Sequence, residues 1–76
     1  MARFAVLAVH RVRARRVALV TGELTGQVGT GDTMVNERGG RYPVMGWEFS
    51  ARADRVTLLF PLAADIEVDD VLVGPG

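Results

Sequence analysis

The sequence predicts an all-β fold, a small antiparallel β-barrel of about six strands. Three observations carry this. Apolar residues recur with a period of two almost throughout, and no stretch sustains a 3.6-residue period over about 11 residues, which excludes a stable long helix. Glycine, proline and aspartate break the pattern into short runs spaced about 8–12 residues apart. The chain has 76 residues and is 49% hydrophobic, enough for one core in one domain and no more. Closure into a barrel would also remove exposed sheet edges.

The elements follow in order. Phe4, Val6, Ala8, His10 and Val12 share one face of a first strand, and Ala5, Leu7 and Val9 share the other until Arg11 and Arg13 make it polar. The turn Arg13–Arg16 leads to a β-branched second strand over Arg16–Thr21. Gly22, Gly26, Gly29 and Gly31 then mark turns and bulges, closed by Asp32. Thr33–Asn36 reads as a short strand, Glu37–Gly40 as a hairpin turn, and Arg41–Phe49 as one strand whose start Pro43 places at an edge. Ser50–Asp54 is a loop, Arg55–Phe60 a strand closed by Pro61, and Leu62–Asp65 a turn, the one place suited to a helical turn. Glu67–Val73 is the last strand. The expected core is Phe4, Val6, Val17, Leu19, Val28, Val44, Trp47, Leu58, Val71 and Val73.

Composition narrows the function. The nine basic residues, all arginine, balance nine acids, which excludes a globally basic nucleic-acid binder and an acidic solvating tail. The charges are nonetheless segregated: residues 1–20 carry a net +5, residues 21–55 a net −1, and residues 56–76 a net −4. Cysteine is absent, so no disulfide framework exists, and a cytoplasmic location is expected. The apolar run Phe4–Val9 is shorter than the roughly 7–15 residues of a signal sequence and the roughly 20 of a membrane helix, so no membrane association is expected.

Several segments stand in a familiar order: Val17–Leu24 (VALVTGEL), Gly26–Asp32 (GQVGTGD), Val44–Phe49 (VMGWEF), Val56–Leu59 (VTLL) and Asp65–Gly76 (DIEVDDVLVGPG). Together they resemble the second domain of translational GTPases such as elongation factor Tu, a small antiparallel β-barrel that follows the GTPase domain. The resemblance covers nearly the whole chain and implies a translation-factor type of barrel. The Met start gives the expectation of a stand-alone barrel. Two turns depart from the family pattern. Where the family has Gly-Arg-Gly in the first hairpin, this chain has Arg13-Ala14-Arg15-Arg16; where the family has Arg-Gly before the last strand, it has Val68-Asp69. Aspartate tolerates left-handed backbone, so the second turn is expected to survive. The resemblance also points to His10, the position nearest the first-strand aromatic that helps elongation factor Tu hold the terminal base of aminoacyl-tRNA. GTPase activity is not implied, because the chain has no phosphate-binding Gly-x-x-x-x-Gly-Lys loop and no lysine at all.

His10 is the sole histidine and Ser50 the sole serine; Ser50 lacks the Gly-x-Ser-x-Gly elbow, so no nucleophilic catalysis and no enzyme is expected. Asp65, Glu67 and Asp69 alternate, with Asp70 beside them. Two readings stay open for them, a hard-cation site and a solvated strand face that pairs with arginines. The glycine a calcium loop needs at its sixth position is missing, which favours the second; no metal or other cofactor is expected. Arg11, Arg13 and Arg15, with Arg16 adjacent, place guanidinium groups at one strand end, and guanidinium binds phosphate bidentately. The expected contact residues are therefore His10, Arg11, Arg13, Arg15, Arg16 and Trp47, and the expected partner is RNA or a ribonucleoprotein. The alternative is a protein-interaction or self-associating barrel that uses the edge at Arg41–Phe49 and Trp47 and binds no nucleic acid.

Overall fold

The computed structural model describes residues 1–49 and 54–74. The expected loop at Ser50–Asp54, Asp54 apart, and with it Ser50, lies outside the described residues. Among the described residues seven strands form one antiparallel sheet: β1 (Ala2–Val12), β2 (Val17–Thr25), β3 (Thr33–Val35), β4 (Arg41–Pro43), β5 (Gly46–Phe49), β6 (Val56–Pro61) and β7 (Val71–Gly74). Their order across the sheet is β4-β3-β7-β1-β2-β6-β5. The all-β expectation holds, and no α-helix occurs among the described residues.

The barrel of about six strands is corrected in two ways. The segment expected as one strand, Arg41–Phe49, is two strands because its backbone changes partners midway. Val44 N–H donates to the Asp32 carbonyl at 2.8 Å, and Met45 N–H to that of Leu59 at 2.7 Å. The two halves consequently pair with different strands, β4 with β3 and β5 with β6, and end up at opposite edges of the ladder. No ladder joins β4 to β5, so the sheet is not closed into a barrel.

A β-bulge sets the inner face of β1. Val6 pairs with Gly22 and Ala8 with Thr21, leaving Leu7 as the extra residue. An extra residue flips the alternation beyond it. Ala2, Phe4 and Val6 are buried, Val9 takes over the inward role, and Ala8 and His10 are exposed. The expected face Phe4–Val6–Ala8–His10–Val12 is thus broken at Leu7. The bulged segment is capped from the C-terminal side: Val6 N–H donates to Asp70 O at 2.9 Å, and Asp69 N–H to Val6 O at 3.0 Å.

The same turn shortens the last strand. Asp69 has φ 75°, and Asp70 N–H bonds to Glu67 O at 3.1 Å, so pairing begins at Val71, not at Glu67. The turn expected to survive with Asp69 does form. In the first hairpin, Arg13–Arg15 make a single 3₁₀ turn and Arg16 takes the left-handed conformation at φ 55°. That backbone costs a non-glycine residue roughly 1 kcal/mol, and a helical turn falls here and not at Leu62–Asp65.

One core lies on the inner face, led by Phe4, Phe60, Met34, Leu58, Ile66 and Leu72. Of the expected core, Phe4, Val6, Val17, Val44 and Leu58 are buried. Val28 packs against the core only partly buried, and Leu19, Val71 and Val73 are half-buried. Val71 and Val73 are displaced because Leu72 and Gly74 take the inward positions of β7. Trp47 is 43% exposed.

Candidate functional site

The arginine hairpin forms because β1 and β2 pair out to Val12 and Val17, leaving only Arg13–Arg16 to connect them. Arg13, Arg15 and Arg16 are all exposed. Arg15 Nη2 lies 4.0 Å from Glu48 Oε1, with both side chains more than half exposed, a pair too solvated to stabilise the fold by more than about 1 kcal/mol. Among the described residues no carboxylate lies within ion-pair distance of Arg13 or Arg16. Arg11 is engaged elsewhere. It donates through Nη2 to the carbonyls of Ala64 at 3.0 Å and Ile66 at 3.4 Å, tying β1 to the loop before β7. His10 is exposed and pairs with Leu19, which pairs in turn with Leu59.

Trp47 is not part of the same face. It is the neighbour of Glu48 in β5, so the two side chains leave the strand on opposite sides. Trp47 pairs with the buried Leu58 and borders a pocket of about 420 Å³ lined by Leu24, Gly26, Gln27, Val28, Val56 and Leu58. The structure thus gathers Arg13, Arg15 and Arg16 at one tip, holds His10 and Arg11 just behind it, and sets Trp47 on the other side of the β5 edge.

Two of the C-terminal acids, Asp65 and Asp70, are held by other groups. Arg38 grips Asp70 with two bonds of 3.0 Å, Nη1 to Oδ1 and Nη2 to Oδ2, and also donates to the Asp65 carbonyl at 3.2 Å. Glu67 N–H donates to Asp70 Oδ2 at 3.0 Å. Tyr42 donates its hydroxyl proton to Asp65 Oδ1 and accepts from Asn36 Nδ2 at 2.9 Å. Asn36, 6% exposed, accepts in turn from the N–H groups of Arg38 at 3.1 Å and Gly40 at 2.7 Å, which shapes the Glu37–Gly40 turn. The acids do not alternate on a strand face, and among the described residues no group of three metal-ligating side chains assembles. Arg38, Tyr42 and Asn36 escaped the sequence reading. The asparagine four residues before Gly40 is a signal for a side-chain-stabilised turn. The Arg38–Asp70 pair, 32 residues apart, leaves no local signal.

This network sets a pH dependence. The two bonds from Arg38, with the Glu67 N–H, hold the Asp70 carboxyl below its ordinary value of 3.8, and Arg38 is held protonated by the same bonds. Burial first, and the Asp65 hydrogen bond second, push the Tyr42 hydroxyl above 10.0. A lowered carboxyl pKa contributes stability that is present above the unfolded value and lost as pH falls from there through the folded one. A raised phenol pKa contributes stability present below the unfolded value and lost as pH rises through the folded one. Thermal unfolding followed against pH is therefore expected to show an acid limb beginning near 3.8 and an alkaline limb beginning near 10.0. Asp70→Asn should flatten the acid limb and Tyr42→Phe the alkaline one; limbs as steep as in the wild type would contradict the assignment.

No helix among the described residues is long and apolar enough to cross a membrane. No protein-family model, curated protein or solved structure matches the chain.

Proposed function

We propose that the protein is a non-catalytic, cytoplasmic binding module of translation-factor type that contacts RNA or a ribonucleoprotein through the β1–β2 hairpin. One observation carries the reading. The hairpin tip presents Arg13, Arg15 and Arg16 to solvent; among the described residues the one carboxylate within ion-pair distance of them is the half-exposed Glu48, 4.0 Å from Arg15, and Asp70 and Asp65 are bound by Arg38 and Tyr42. Guanidinium groups so weakly compensated at a hairpin tip favour a phosphate backbone. Trp47 at the mouth of its pocket supplies an aromatic surface of the sort on which unpaired bases stack. The cross-strand neighbours of His10 on β2 and β6, Leu19 and Leu59, supply neither an acid nor a nucleophile, which supports a binding role over catalysis.

Binding to single-stranded RNA is expected to weaken with salt, with a slope of about −0.7 per neutralised phosphate in log–log form, so three contacts lose on the order of a hundredfold for a tenfold rise in salt. The double variant Arg13→Gln/Arg15→Gln should lose most of this affinity, reduce the slope by about 1.4, and leave the melting temperature nearly unchanged. Unchanged RNA binding with a lowered melting temperature would overturn the proposal and make the hairpin a structural element.

A further inference from the structure

The outward face of β1, β7 and β3 carries a second surface, separate from the hairpin. Two rows of side chains run across the strands there. In the first row, Arg3 pairs with Val73, Val73 with Val35, and Val35 with Arg41. In the second, Glu23 pairs with Ala5 and Ala5 with Val71. Glu37, two residues beyond Val35, carries that row past Val71 and shares a groove of about 390 Å³ with Val71, Val73 and Arg3. The face is therefore apolar in the middle, arginine at both ends of one row, and glutamate at both ends of the next. All four charged residues are exposed, and among the described residues none is within ion-pair distance of an opposite charge.

We infer that this face binds a second copy of the chain about a two-fold axis. A two-fold interface must offer each patch to itself, so every base needs an acid within side-chain reach of the position the rotation brings it to. An axis running across the strands, between the two rows, exchanges the rows and preserves the strand position. Across facing sheets about 10 Å apart, it sets Arg3 of one copy one strand to the side, about 4.8 Å, of Glu23 of the other, and Arg41 one strand to the side of Glu37, offsets that the long side chains span. Val73 then meets Val71 at the centre, with Arg3 lying over Ala5 and Val35 over the stem of Glu37. A face of one sign would repel its copy; this arrangement gives four charge pairs around an apolar centre, the usual division between interface core and rim. The hairpins lie at the far end of β1 and stay uncovered, so the inference does not rest on RNA binding.

Sedimentation velocity tests this directly. The wild type is expected to be dimeric at about 0.1 mM in low salt, an affinity within the ordinary range for proteins, and to dissociate as salt screens the rim pairs. Val73→Glu, an outward substitution, should give a folded monomer by circular dichroism. Glu37→Arg alone sets Arg41 against a like charge, and Arg41→Glu alone does the same with Glu37; each should weaken association by about tenfold or more. Mixing the two variants restores two opposite-charge pairs and should restore the dimer. That rescue also shows that both variants are folded. A monomeric wild type, a dimer indifferent to Val73→Glu and to the two charge variants, or a mixture that stays monomeric would each overturn the inference.

Discussion

Gly22→Ala is expected to lower the melting temperature by on the order of 15 °C, corresponding to about 3 kcal/mol in a domain of this size. A Cβ at Gly22 would sit 2.2 Å from the Ala5 carbonyl oxygen and 3.0 Å from both the Ala5 carbonyl carbon and Phe4 Cζ. The obstruction is mostly backbone, which cannot rotate away. It is backbone of the strand segment whose register the Leu7 bulge sets, because Val6 opposite Gly22 is the last pair before the shift. Relief would require β1 and β2 to part where the core residues Phe4 and Val6 enter. The whole fold is expected to be worth only about 4–11 kcal/mol, so the variant approaches its margin. Gly46→Ala is the control. Its Cβ would meet Leu59 Cδ2 at 3.9 Å, an ordinary contact, and the change should stay within about 0.5 kcal/mol. Equal melting temperatures for the two variants would show that the β1–β2 approach is not as close as described.

Phe60→Ala is expected to cost about 3–5 kcal/mol, enough to leave a large unfolded fraction at room temperature. Phe60 is fully buried on β6 and meets Tyr42 edge to face, with ring centroids 6.3 Å apart at 81°. It pairs with Ala18, whose small side chain leaves the space the ring occupies. Truncation would open a cavity and remove the packing that orients Tyr42, whose hydroxyl joins Asn36 to Asp65. The loss should therefore exceed that of a simple cavity and should loosen the Glu37–Gly40 turn, seen as faster amide exchange at Gly39 and Gly40. Phe60→Leu keeps most of the volume and should cost about 1–2 kcal/mol. A denaturant midpoint for Phe60→Ala close to that of the wild type would show that the ring is not at the centre of the core.

How much was legible from the sequence depended on the range of the interaction. Strand content was legible because alternation, β-branched residues and glycine-rich turns act within a few residues. So were the turns: Glu37–Gly40 forms where the paired glycines stand, and Asp69 takes a left-handed turn as aspartate can. The exposure of Arg13, Arg15 and Arg16 was legible too, since a connection of four residues between paired strands has nowhere to bury a guanidinium group.

The remainder came only from tertiary contacts. Whether Ala8 or Val9 faces the core depends on a single extra residue at Leu7, and the pattern Phe4–Val12, apolar on both faces at its start, fits either choice. The division of Arg41–Phe49 at Val44 depends on carbonyls of Asp32 and Leu59, distant along the chain on either side. The choice of Arg38, not the hairpin arginines, as the partner of Asp70 depends on where the Glu37–Gly40 turn is carried by β3 and β4. Local sequence determines which conformations a segment prefers. It leaves nearly degenerate the register, the face and the charge partner, and these are decided by which distant backbone groups and side chains the closed core brings within a few ångströms.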